Sequence, residues 1–111
     1  MKIITEKITI EELKEFGEGF FENMIKAVAD IDLEIMAIGA EMHSDEEMAL
    51  LDNGSKQEYL WGFNILFDMP REDWLEFDSM INIRPKQNRS RYVENQEIRE
   101  KVINIVNNLI Q

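Results

Sequence analysis

Between Tyr59 and Phe67 every second residue is large and apolar: Tyr59, Trp61, Phe63, Ile65 and Phe67. Side chains two positions apart leave a strand on the same face, so this period commits the segment to a β-strand with an aromatic inner face. One such strand cannot bury itself; it needs neighbours in a sheet and a second layer over its apolar side. Leu75 to Arg84 alternates again, with Leu75, Phe77, Ser79, Ile81 and Ile83 on one side and Trp74, Glu76, Asp78, Met80, Asn82 and Arg84 on the other. Asp68-Met69-Pro70-Arg71 supplies the turn between the two, which predicts an antiparallel pair. Pro85 obstructs continuation as a central strand. A further strand is expected over Leu33–Met42, LEIMAIGAEM, where Gly39 marks close backbone approach or a bulge.

The covering layer reads as helices. Thr9 and Glu12 form a capping box, with Ile8 and Leu13 placed as a hydrophobic staple. Leu13, Phe16, Phe20, Met24, Ala27, Val28 and Ile31 then recur at helical spacing and predict one long helix. Gly17 and Gly19 fall inside it and are explained by close packing against another element. Ser44 and Glu47 give a second capping signature before Met48-Ala49-Leu50-Leu51, and Asp52-Asn53-Gly54-Ser55 stops that short helix. Ile98, Val102, Ile105, Val106 and Leu109 make the last segment amphipathic, with Glu94, Asn95 and Glu97 favouring its start. The expected fold is therefore one α+β domain over residues 1–111: a single-layer, largely antiparallel three-stranded sheet, covered on one face by two amphipathic helices, with an additional short helix.

The charge is unevenly placed. Residues 1–78 hold twenty acidic and six basic residues, formal charge −14, whereas residues 79–111 hold three and six, formal charge +3. No carboxylate interrupts Ser79 to Val93, which carries Arg84, Lys86, Arg89 and Arg91. An acidic body of this kind repels polyanions, so nucleic acid is disfavoured as a partner, and the basic segment suits a protein surface or a small anion. The absence of cysteine excludes disulfides, thiol nucleophiles and cysteine metal sites. No apolar run approaches a membrane span and no signal segment opens the chain, so a cytoplasmic protein is expected.

Candidate chemistry gathers at two places. His43, the sole histidine, stands in Glu41-Met42-His43-Ser44-Asp45, where an imidazole between carboxylates suits proton transfer. Glu41, His43 and Asp45 are thus the candidate catalytic residues, set against ordinary strand-end polarity. The same side chains would serve a divalent metal, but the spacing lacks a helical zinc motif, and no cofactor is expected. Ser44 beside His43 reads as a cap before it reads as a nucleophile. Arg84, Lys86, Asn88, Arg89 and Arg91 are the candidate ligand-binding residues, because guanidinium forks and an amide suit an oxyanion. Trp74 and Met80 are the candidate interface residues.

Four segments, AIGAEMHSDEE, GSKQEYLWGFNI, WLEFDSMINIRPKQNRS and EIREKVINIVNNLI, resemble a short family of uncharacterised prokaryotic proteins over nearly the whole chain. In that family the first segment reads closer to AIGGELHAD, so Gly39, Glu41, His43 and Asp45 match while Ala40 and Met42 depart from it. Gln57, Trp61, Gly62, Asn82, Arg84, Gln87, Asn88, Arg89 and Ser90 match its recurring features as well. The resemblance implies a single domain and carries no activity. From the residues, the expected role is a non-enzymatic self-association or protein-binding module, as a homodimer or with a small protein partner. The alternative is a small enzyme using acid–base chemistry on a small anionic substrate, with His43 moving the proton and arginine holding the charge.

Overall fold

The computed structural model describes residues 1–111. Its five strands are β1 (Lys2–Ile4), β2 (Met24–Asp30), β3 (Ile35–Ile38), β4 (Leu60–Leu66) and β5 (Leu75–Glu76). Three α-helices accompany them, α1 (Ile10–Gly17), α2 (His43–Asp52) and α3 (Gln96–Leu109). The strands form one sheet in the order β1-β3-β2-β4-β5, and every neighbouring pair is antiparallel. The expected three-stranded sheet under two helices is thus corrected to a five-stranded antiparallel sheet with three helices.

The correction begins at Gly17. The capping box forms as expected, with Thr9 Oγ1 accepting from the Glu12 amide at 3.1 Å, but α1 stops after two turns. A Cβ on Gly17 would lie 3.2 Å from the Ile25 side chain, and Gly19 and Asn23 take φ values of +93° and +57° that no helix allows. The apolar residues that follow belong to β2, the central strand. Ile25, Ala27 and Ala29 face one layer and Val28 the other, so a strand buried on both sides lacks the alternation that would reveal it. Close packing was the right reading of Gly17, which lies in α1 against Ile25 of β2, but not of Gly19, where a Cβ would meet nothing and the positive φ alone calls for glycine.

Both faces of the sheet are covered. On one, α1 and α3 bury Ile4, Ile25, Ala27, Met36, Ile38, Trp61, Phe63 and Ile65 against Leu13, Val102, Ile105, Val106 and Leu109. On the other, α2 sets Leu50 against Val28, Ala37 and Leu60. At Gly39, φ is +84° and a Cβ would meet the Phe16 carbonyl oxygen at 2.7 Å, which is the close approach the glycine predicted. The Ser44–Glu47 box is absent: α2 starts at His43 after an uncapped Met42.

The expected third strand also shortens. Only Leu75 and Glu76 pair with β4, after which Met80–Asn82 turns as a 3-10 helix. Beyond β5 the edge of β4 is completed by side chains. The Asn82 amide oxygen accepts from the Gly62 N–H at 2.8 Å, and its nitrogen donates to the Gly62 and Arg91 carbonyls at 2.9 and 3.0 Å. Arg84 continues the series by donating to the carbonyls of Glu58, at 3.0 Å, and Leu60. An amide and a guanidinium thus stand in for a strand, satisfying backbone groups that would otherwise form an open edge.

Candidate interaction surfaces

The structure separates the residues proposed for acid–base work. β3 ends at Ile38, so neither Glu41 nor His43 lies on a strand; Glu41 and Asp45 are exposed, whereas His43 is 6% exposed in the first turn of α2. Its Nε2 lies 2.8 Å from the Phe63 carbonyl oxygen. A carbonyl only accepts, so Nε2 carries the proton and Nδ1 is the free nitrogen. Burial lowers the imidazole pKa, with Lys26 adding to the effect and the Phe63 contact and Asp78 opposing it. The ring is neutral near pH 7 and bridges α2 to β4.

One helical turn further on, Glu46 is fully buried. Its Oε2 accepts from the Ala40 amide at 3.1 Å, while Oε1 meets no partner. Burial raises the carboxyl pKa to about 9, against smaller opposing effects from the Ala40 bond and Lys26. Asn64, opposite Lys26 in the β2–β4 register, donates to Glu76 at 2.9 Å. Lys26, Glu46 and Asn64 were missed in the sequence, although His43, Glu46 and Leu50 have the spacing of one inward helix stripe. No three of the chain's His, Asp and Glu side chains gather into a set that could hold a metal ion.

The basic segment divides into structural and exposed members. Asn88 is buried, and its amide nitrogen donates to the carbonyls of Asn82, Ser90 and Tyr92 while its oxygen accepts from the Glu94 amide. Arg84 stacks on Trp61 with 3.9 Å to the ring centroid, and burial lowers its pKa despite the nearby Glu47. Arg91 pairs with Asp78 at 2.6 Å on the surface, and Lys86 and Arg89 are exposed. The cleft that Arg84 lines, with Gln57, Glu58 and Gln87, includes neither His43 nor Asn88. Of the two interface candidates, Trp74 is buried within the main core and Met80 is 64% exposed.

A different feature emerges at the far edge of the sheet. Leu66 N donates to the Trp74 carbonyl at 2.8 Å, which turns Trp74 and Glu76 toward β4. By the alternation of antiparallel bonding, the Leu75 N–H and C=O point the other way, where no strand follows. Beside that edge a cleft of about 490 Å³ opens between β5 and α3. Trp74, Leu75, Phe77, Ile103 and Val106 make its walls apolar, and Arg71, Glu72 and Asn107 complete its lining. Arg71 is held there by stacking on Trp74 and by donating to the Ile110 carbonyl at 2.8 Å. A second, shallower hollow continues past Phe77 to Tyr92 and Arg99. Sequence reasoning found the β5 alternation and the α3 stripe but had no means of setting them side by side.

No helix is long and apolar enough to cross a membrane. No curated protein and no solved structure matches the chain. The family described as protein of unknown function (DUF5674) matches residues 2–109, in keeping with the resemblance drawn from the sequence, and the chain belongs to that family.

Proposed function

We propose that this domain is a non-enzymatic protein-binding module that takes an extended segment of a partner along β5, as a sixth strand of the sheet. The observation that carries this reading is the outward-facing Leu75 backbone beside the apolar cleft under α3. Main-chain bonds to an edge strand supply affinity, and pockets for alternate side chains supply selectivity. The cleft suits apolar side chains at every second position of the incoming segment. Its rim holds both signs of charge, from Arg71, Glu72, Asp78 and Arg91, which favours an uncharged segment over a strongly basic or acidic one. Such binding asks nothing of His43, whose position inside the fold suits joining helix to sheet. A cytoplasmic setting is consistent with the absence of cysteine.

A displayed library of random peptides, selected on the intact chain and on the Ile103→Asp variant, tests the proposal. Enrichment of alternating apolar sequences on the wild type, with loss on the folded variant, is the expected result. Equal capture by both would remove the cleft from the account.

A further inference from the structure

The layer on the opposite face of the sheet leaves an apolar surface uncovered. Helix α2 turns His43, Glu46 and Leu50 inward, so Met48 points straight out and Leu51 leans toward the flank that carries Glu47. That flank faces Arg84, whose guanidinium senses the Glu47 charge, and the Met80–Asn82 turn packs beside the helix there. Met48 is 60% exposed and Met80 64%, with Leu51 and Ile83 also open to solvent. Isolated exposed apolar residues are ordinary, but four on adjoining elements make a surface that association would bury.

The charges around this surface identify its occupant. Glu41, Asp45 and Asp52 lie on or beside α2, while Lys86 and Arg89 are exposed on the loop that follows the Met80–Asn82 turn. An apolar centre thus has an acidic side and a basic side. A two-fold axis through such a patch lays the acidic helix of one copy against the basic loop of the other, and the reverse. A partner carrying one sign of charge would match only half of the surface. With a formal charge of −11, two copies repel at long range, so they need an arrangement in which opposite charges meet.

We propose that the chain forms a two-fold homodimer through α2 and the Met80–Arg89 segment, with Met48, Leu51, Met80 and Ile83 at its centre. This interface lies on the sheet face opposite the β5–α3 cleft and does not depend on the cleft's binding anything. Light scattering coupled to size-exclusion chromatography, run on the full chain between roughly 1 and 200 µM, measures it. The wild type should reach twice the 13.1 kDa chain mass, and added salt should weaken the association. Met48→Glu combined with Met80→Glu should raise the dissociation constant by at least about 100-fold with an unchanged circular dichroism spectrum. Ile103→Asp, at the cleft, should remain dimeric.

A charge-reversed pair supplies a check that misfolding cannot imitate. Lys86→Glu with Arg89→Glu, and separately Asp45→Lys with Asp52→Lys, should each be weakened alone. Each reversal leaves like charges facing within its own dimer, whereas a mixture meets acid with acid-to-lysine at the contacts where the two reversals oppose each other, so the mixed species should form preferentially. A wild-type mass of one chain throughout the range would overturn the proposal. So would a dimer that persists in the folded Met48/Met80 double variant.

Discussion

At Glu46 the fold buries a carboxyl that ionises in the unfolded chain near its ordinary value of 4.5 and in the folded chain only near 9. Between those values the folded state holds a proton that the unfolded state releases, so stability falls as pH rises through that window. At neutral pH the group therefore costs stability. Glu46→Gln keeps an oxygen for the Ala40 amide and removes the ionisation, and should stabilise the protein by roughly 1–3 kcal/mol at pH 7. Thermal melts of the two proteins should converge near pH 3, where both side chains are uncharged in both states; an advantage that persists there would mean a packing effect. His43 has the opposite sense. Burial lowers its pKa, so the unfolded state binds the proton more readily and stability should fall as pH drops below about 6.5. Proton NMR of the single imidazole should show it titrating below that value, and an ordinary or raised midpoint would contradict the buried site. His43 was evident in the sequence by being unique, but its burial was not, because a polar residue just past the strand expected over Leu33–Met42 reads as solvent-facing strand-end polarity.

At the scale of elements, legibility followed how cleanly the large apolar residues recur. The aromatic alternation of β4 and the stripe of α3 each gather their largest apolar residues on one side, and both elements appear where the sequence predicts them. β2 is apolar on two sides, and its residues happen to continue the spacing of α1, so helix and strand fused into one expected element. The overlong third strand failed for another reason. Its alternation persists from Leu75 to Arg84, but beyond Glu76 the hydrogen bonds to β4 come from the Asn82 and Arg84 side chains instead of backbone. Periodicity reports which side is buried and says nothing about what bonds the edge. Asn82→Ala would strand the buried N–H and C=O of Gly62, and a loss of roughly 2–4 kcal/mol in denaturant unfolding is expected. Asn82→Asp keeps the shape and still should fail, since a carboxylate cannot donate to the Gly62 and Arg91 carbonyls. Near-wild-type stability in the aspartate variant would show that those two bonds contribute little.

For the whole molecule, the side-chain capping of β4 explains why the basic segment reads ambiguously in the sequence. Arg84 and Asn88 are committed to backbone carbonyls, while Lys86 and Arg89 remain exposed, and charge alone cannot divide them. The cleft was illegible for a reason of distance, since Leu75 and Phe77 meet Ile103 and Val106 only after the chain has passed through the Asn88 loop and into α3. With β4 closed off by Asn82 and Arg84, β5 presents backbone outward at Leu75, next to that cleft. Hydrogen exchange at the Leu75 amide is the most direct measurement of this arrangement, made on the free protein and on the protein saturated with a selected peptide. The Leu75 amide should exchange quickly in the free chain, while the Gly62 amide, held by Asn82, exchanges slowly. Peptide should slow Leu75 by at least about 10-fold and leave Gly62 unchanged. A Leu75 amide as protected as Gly62 before any peptide is added, or one that saturating peptide leaves unaltered, would contradict strand addition at β5.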